Sequence, residues 1–301
     1  EDEKSKDIHV NDVVNPETRQ QSRRIIHETI ENISQNKKIN VAKVNQTVKN
    51  LISEILERDN VLVNLLSIKT TDSYTFDHSV NVAVLSLLVG TSLNFDRNLL
   101  IKLGVGALLH DIGKVSIPEK ILTKPGSLTE KEYEVVQKHP KLGYENTKKY
   151  PTISPLSRVI ILSHHEKVDG TGYPQGLVKD DIHQLARIVA VTDVFDALTS
   201  DRCYRDRWPV NKATDFLISN AGSHFDSELV NKFLRNIAIY PTGITVELSN
   251  GQEGIVKNQN PGFPERPVVK LITDQEGNEL EDYKTVNLMK TLNLVIKDSQ
   301  A

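Results

Sequence analysis

Apolar positions recur at helical spacing through most of this chain and give way to short strand-like runs only near its end. Residues 1–16 are polar and predict a frayed start. From Pro16 to about Leu66 the pattern is helical, as in "RRIIHETIENI" and "VNQTVKNLISEILERD", where Val48, Ile52, Ile55 and Leu56 fall on one face. Packing, dimerisation or passing on an upstream signal is the expected work of these amino-terminal helices. Helical patterns broken by Gly and Pro continue through residues 51–240. The segment "HSVNVAVLSLLVG" sets His78, Val82, Leu85 and Val89 on one side of a helix. Thr129, three before Glu132, predicts a capping box, and Ser154 before Pro155 predicts an N-cap with proline at the first helical position. "HQLARIVAVTDVFDALTS" has the composition of a buried helix. With little β signal in this region, an all-α bundle is expected. After Tyr240, β-rich runs alternate with Asn-Gly, Pro-Gly and Glu-Gly turns, which predicts a small, partly closed, barrel-like β domain. The expectation is therefore a mainly α protein of three parts: an amino-terminal helical region (1–50), a helical bundle (51–240) and a carboxy-terminal β domain (241–301).

Composition narrows the function classes. The 301 residues exceed one typical compact domain, and 38% hydrophobic with 26% charged residues fits a globular protein. A net charge of −3 supplies no basic field, so no nucleic-acid polymer is expected as a partner. The single cysteine, Cys203, excludes a disulfide framework or thiolate metal cage within the chain and suits a reducing, cytoplasmic setting. Apolar runs such as "VAVLSLLVG" (82–90) are too short to span a bilayer, and the amino end carries no signal-peptide pattern. Because the chain opens on Glu1 rather than methionine, a further segment upstream is expected.

The candidate chemistry lies in the histidines and carboxylates of the helical middle. His9, His27, His183 and His224 sit in polar or loop-like surroundings and suggest nothing special. His78 faces inward; a lone inward histidine is more often a satisfied core residue than a ligand. His110 and Asp111 close the apolar run "LGVGALL", where an adjacent His-Asp pair is costly unless something compensates it. His139 precedes Pro140, which predicts extended backbone at a helix end. His164 and His165 end another apolar helix, and Asp193 lies within "IVAVTDVFDAL" one turn before Asp196. Each has an ordinary explanation singly, but together they point to a divalent cation. Imidazole and carboxylate donors without thiolate favour iron, manganese or a similar ion over structural zinc. Two ions sharing one aspartate would acidify a bridging water into a hydroxide suited to attack on phosphorus. The spacing thus supports a metal-dependent phosphohydrolase.

These residues also carry a family resemblance. "LLHDIGK" (108–114) resembles the HD superfamily of metal phosphohydrolases, and "HHEKVDGTGYP" (164–174) matches the HD-GYP signature. "DSYTFDHSVNV", "QKHPKLGYE" and "VTDVFDALTSDRCYR" fit the flanking blocks in order, from roughly residue 60 to 225. The resemblance implies an HD-type bundle and a phosphodiesterase that linearises cyclic di-GMP, some members continuing to GMP. It implies the metal ligands His78, His110, Asp111, His139, His164, His165 and Asp193, with Asp111 bridging two divalent ions. Lys114 would contact the scissile phosphate and share the catalytic role with Asp111. Gly172, Tyr173 and Pro174 resemble the turn beside the substrate pocket, where glycine lets backbone approach a ligand. Arg202 and Arg205 resemble positions that meet guanine or phosphate; a surface salt-bridge cluster with Asp201 and Asp206 is the plainer alternative. Glu166 and Asp169 are expected to brace the turn or orient a ligand histidine.

One departure bears on mechanism. Three-metal members carry Glu four residues before the first histidine ligand, where this chain has Tyr74. The expectation is therefore two ions, with linear pGpG as the product. Hydrolysis of another cyclic dinucleotide, such as cyclic GMP-AMP, and a weakly catalytic cyclic di-GMP sensor stand as alternatives. A homodimer through the amino-terminal helices is the further partner expected.

Overall fold

A computed structural model describes residues 13–57, 74–201 and 207–300. Eleven α-helices occupy the amino-terminal part of these residues and five strands the remainder. The helices are α1 (Pro16–Ser34), α2 (Val41–Leu56), α3 (Tyr74–Ser92), α4 (Arg97–Leu108), α5 (Glu119–Leu122) and α6 (Glu130–Val136). They continue with α7 (His139–Lys148), α8 (Pro155–Ser163), α9 (Gln184–Thr199), α10 (Val210–Ser219) and α11 (Ser227–Leu234). A 3₁₀ turn, Ile112–Ser116, links α4 to α5.

Local chemistry sets the helix starts. Asn15, Asn40 and Asp96 each accept a backbone N–H of the first turn of α1, α2 and α4. Thr129 and Glu132 close the capping box at α6, and Ser154 caps α8 with Pro155 in its first turn. His139 opens α7 as a helical residue, not as the extended residue that Pro140 suggests. Proline is tolerated there because first-turn N–H groups lack intrahelical acceptors in any case.

The bundle buries one continuous apolar core. Val44, Val48 and Leu51 of α2 are fully buried in it beside Val80, Val84 and Leu87 of α3 and Leu103 of α4. Helix α3 packs on α4 and α9, α8 on α4 and α9, and α7 on both α8 and the 3₁₀ turn. These contacts bring the ends of α4 and α8, the starts of α3 and α7 and the middle of α9 to one place. Gly113 permits the closest of them. A Cβ there would lie 1.9 Å from the His139 carbonyl oxygen and 2.5 Å from Gly143 N, so only glycine lets the turn reach the start of α7.

The strands are β1 (Thr245–Leu248), β2 (Glu253–Asn258), β3 (Val268–Leu271), β4 (Thr285–Asn287) and β5 (Ile296–Gln300). They form an antiparallel sheet in the order β4-β3-β2-β1-β5. Gly251, Gly262 and Gly277 lie between strands with φ of 86°, 82° and 86°, at the predicted turn dipeptides. The barrel-like closure expected from the strand pattern is not formed: β4 pairs with β3 and β5 with β1, and the two edges do not meet. Closure is unnecessary because the connecting segments supply Leu280, Leu288 and Leu294 to the apolar face of Val246, Leu248, Val256, Val269 and Leu271. Three-residue β4 is also a short edge, which limits unwanted pairing. No described helix is long and apolar enough to cross a membrane.

Candidate metal centre

Seven side chains that the sequence singles out converge inside the bundle. His78, His110, Asp111, His139, His164 and Asp193 are buried, and His165 is partly exposed. Three overlapping groups place one donor atom per residue within 4.8 Å of the others: Asp111 with His139, His164 and His165; His78 with His110 and Asp111; and His110 with His164 and Asp193. Asp111 belongs to two groups and stands between them. Its Oδ1 lies 3.2 Å from His139 Nε2 and 3.9 Å from His164 Nε2, while its Oδ2 lies 3.4 Å from His110 Nε2 and 3.8 Å from His78 Nε2. Asp193 Oδ1 is 3.1 Å from His78 Nε2, and its Oδ2 is 3.8 Å from His165 Nδ1.

The backbone aims these rings. Nδ1 of His110, His139 and His164 bonds the carbonyl three residues earlier, on Ala107 (2.8 Å), Val136 (2.7 Å) and Ile161 (3.0 Å). An Nδ1–H donated to a carbonyl fixes the tautomer and leaves an Nε2 lone pair facing the cluster. His78 uses Nδ1 on Asp196 Oδ2 at 2.7 Å instead.

Electrostatically the cluster is a nest for a cation. Burial disfavours the Asp111 carboxylate, yet Lys114 and His110 beside it hold its pKa well below the usual range. Asp193 is likewise held low against burial by its hydrogen bond to His78 and by the neighbouring imidazoles. Burial and the adjacent His165 and His110 keep His164 neutral, and burial pushes His165 down to about 3. For His78 burial is outweighed by hydrogen bonds to Asp193 and Asp196, which raise it to about 9.

Two observations fit these residues to metal ions. His110 Nε2 and Asp111 Oδ1 are buried and make no hydrogen bond, a cost that a coordinated cation removes. His139 Nε2 and His164 Nε2 approach to 3.3 Å with both Nδ1 atoms on carbonyls, so two lone pairs face each other unless something positive lies nearby. The His/Asp cluster therefore has the donors for a two-ion site, through nitrogen and oxygen alone.

The predicted substrate-side residues are partly in place. Lys114 Nζ lies 2.5 Å from Asp111 Oδ2, and its side chain is 34% exposed, so it reaches from the cluster towards solvent. The Tyr173 ring sits 4.8 Å from the His165 ring, and Tyr173 N donates to the His165 carbonyl at 3.2 Å. Burial pushes the Tyr173 phenol up, which keeps it a hydrogen-bond donor. The Tyr173–Pro174 peptide is cis. Gly172 is required by contact: a Cβ would fall 2.3 Å from Lys167 N and 2.5 Å from Glu166 Cα. Glu166, only 2% exposed, accepts the N–H groups of Gln175 (2.7 Å) and Leu177 (3.0 Å) and so braces the turn. Asp169 accepts from the Thr171 backbone and hydroxyl. Arg202 and Arg205 lie outside the described residues, as does the Tyr74 side chain at the start of α3. His183 caps α9, and His27 and His224 meet Phe76 and Phe225; none of the three belongs to the donor groups.

Sequence reasoning left out Asn81, although Asn81 stands three residues after His78 as Asp196 stands three after Asp193. A polar residue one turn beyond a candidate ligand, on an otherwise apolar helix, was the available signal.

Comparison with known proteins agrees with this geometry. The profile of the HD domain matches residues 60–229, and that of a KOW domain associated with the HD domain matches residues 245–300. Over 233 residues the chain is 38% identical to a cyclic di-GMP phosphodiesterase of Pseudomonas aeruginosa, covering 77% of this chain and 56% of that protein. A cyclic di-GMP phosphodiesterase response regulator of Xanthomonas campestris pv. campestris is 37% identical over 193 residues, 62% of this chain and 50% of that one. A 3′3′-cGAMP-specific phosphodiesterase of Vibrio cholerae is 37% identical over 172 residues, 57% of this chain and 37% of its own. The chain thus spans about half the length, or less, of these relatives. Among solved structures, an HD-G"Y"P protein of Bdellovibrio bacteriovorus superposes with a TM-score of 0.53 at 20% identity, covering 72% of this chain and 69% of that one, a likeness of fold.

Proposed function

This chain belongs to the HD domain family and is related to its HD-GYP cyclic di-GMP phosphodiesterases, and on that premise we propose that it hydrolyses cyclic di-GMP at a two-metal centre. The observation that carries the reading is the cluster itself: five imidazoles and two carboxylates, with His110 Nε2 and Asp111 Oδ1 buried and unbonded within it. His78, His110, Asp111, His139, His164, His165 and Asp193 would hold the ions, Asp111 being the residue common to two of the donor groups. Nitrogen and oxygen donors without thiolate favour iron or manganese. Such ions supply an acidified water and neutralise charge on the phosphate.

The chain's own residues do the rest. Lys114, beside Asp111 and reaching outward, binds the phosphoryl oxygens and offsets the charge that develops on them. Tyr173 presents a protonated hydroxyl and an aromatic face at the mouth, against His165, to orient the dinucleotide. Glu166 and Gly172 keep that turn in place, and Arg202 and Arg205 complete substrate binding. Tyr74 in place of a further carboxylate limits the site to two ions, so linear pGpG is the product. Residues 51–240 form the catalytic unit, a single cysteine suits a cytoplasmic setting, and any homodimer through the amino-terminal helices uses their exposed faces.

Identity to a 3′3′-cGAMP-specific enzyme supports hydrolysis of the hybrid dinucleotide as the second reading. Anaerobically purified chain, loaded with iron or manganese, should convert cyclic di-GMP to pGpG on timed nucleotide chromatography. Asp111→Ala should abolish the product. Turnover of cyclic GMP-AMP alone would transfer the assignment, and binding without any metal-dependent product would make the chain a sensor.

A further inference from the structure

The amino-terminal helices look remote from the chemistry, yet the polar face of α1 runs into it. Arg19 donates from Nη1 to Asn81 Oδ1 at 2.7 Å, and Asn81 Nδ2 donates to Asp196 Oδ1 at 3.0 Å. Asp196 Oδ2 meets His78 Nδ1 at 2.7 Å. Arg19, Asn81 and His78 are each 4% exposed and Asp196 2%, so the whole series is sheltered from water. One turn further along α1, Arg23 pairs with Asp77, the residue before His78. Helix α1 also packs on the 3₁₀ turn that follows Asp111.

The direction of these bonds matters more than their number. A guanidinium can only donate, so the Asn81 carbonyl oxygen must face Arg19 and its amide must face Asp196. An ionised Asp196 can only accept, so His78 must donate from Nδ1, which turns Nε2 towards Asp111 and Asp193. His110, His139 and His164 take the same tautomer from a carbonyl three residues back in their own chain segment. For His78 that setting comes through side chains on two other helices, α9 and α1. Burying an arginine this deeply is costly unless its partners hold it.

We propose that Arg19, Asn81 and Asp196 are positioning residues for the metal centre, through which the seating of α1 sets the tautomer and aim of His78. The proposal rests on the metal-binding reading above. It makes α1 part of the ion site that uses His78, so a displacement of α1 loosens that ion and leaves the site of His139, His164 and His165 intact.

The test uses the full chain, stripped of metal and titrated with cobalt(II) alone, with visible absorption reporting both stoichiometry and ligand field. Wild type should take up two ions. Asp196→Asn and Arg19→Met should weaken one of them by about 10–100-fold and shift its absorption bands, the range found when groups behind a ligand are altered. Arg19→Lys, which keeps a donor, should restore the wild-type titration. Arg187→Met removes an arginine–carboxylate pair with Asp226 that touches no residue of the cluster, and it should titrate as wild type. Unchanged titrations of Asp196→Asn and Arg19→Met would overturn the proposal, as would equal weakening of both ions in Arg19→Met and Arg187→Met. A wild type that takes up no cobalt would remove the metal centre, and the relay with it. That outcome is distinct from a two-ion wild type with unaltered variants.

Discussion

The sheet and the bundle bury their interiors to the same depth by different means. In the sheet, Val246, Leu248 and Val256 are fully buried against Val269, Leu271 and Leu288, and the connecting segments finish the cover. That core is apolar and supplied by the chain's own side chains, and among the described residues no carboxylate or imidazole is buried in it. In the bundle, equal burial encloses imidazoles and carboxylates, two of whose atoms have no hydrogen bond. A polar interior of this kind is stable only when fully satisfied, and a coordinated cation would satisfy it. One region thus folds around apolar side chains alone, while the other encloses a cluster of nitrogen and oxygen donors.

Metal removal should separate the two regions most widely. A site filled at about 100 times its dissociation constant adds about 2.7 kcal/mol to stability. Chelation should therefore lower the unfolding free energy of the bundle by at least about that amount. Hydrogen exchange should rise at α4, α8 and α9 and stay unchanged in β1 to β3; an equal rise in both regions would erase the distinction. The reverse experiment is Leu248→Ala. Removing a fully buried leucine costs about 2–5 kcal/mol, yet the loss should appear in the sheet alone, with ion stoichiometry and turnover unaltered.

Gly172→Ala tests the edge of the metal cluster. Its Cβ would collide with the Glu166 and Lys167 backbone, so the turn must shift and carry Tyr173 with it. An increase in KM of about tenfold with both ions retained is expected, the mark of lost substrate positioning. Loss of an ion instead would tie the turn to the metal rather than to the substrate.

The smallest effect belongs to the capping box of α6. Lys124 and the Thr129 backbone and hydroxyl lower the Glu132 carboxyl from 4.5 to about 2. A lowered folded-state value stabilises above the ordinary 4.5 and is lost as pH falls towards 2. Glu132→Gln should flatten stability in that window, with a small loss at neutral pH that disappears towards pH 2, as acid titration followed by circular dichroism would show.

Local rules carried much of the structure into the sequence. The Thr129–Glu132 and Ser154–Pro155 caps, the buried helix over Asp193 and the strand turns at Gly251, Gly262 and Gly277 all depend on residues within a few positions of one another. The converging histidines were legible because each ended or interrupted an apolar helix, where a polar group needs a reason. What escaped depends on distant pairing. Arg19 and Asn81 are separated by 62 positions, Asn81 and Asp196 by 115, and no periodicity relates them. The open sheet escaped for the same reason, since Leu280 and Leu294 cover its face from outside the strands. His139 entered a helix because a local rule about residues before proline yielded to the carbonyl of Val136 and the packing of Gly113.

The central claim is that the His/Asp cluster is a two-ion catalytic centre divided by Asp111. Metal analysis of anaerobically prepared chain, beside Asp111→Ala and with cyclic di-GMP turnover read on the same samples, tests it most directly. The account predicts two iron or manganese ions per wild-type chain, turnover that rises with the second ion, and loss of both binding and turnover in the variant. Two ions retained by Asp111→Ala, or turnover in a wild type that binds none, would contradict it.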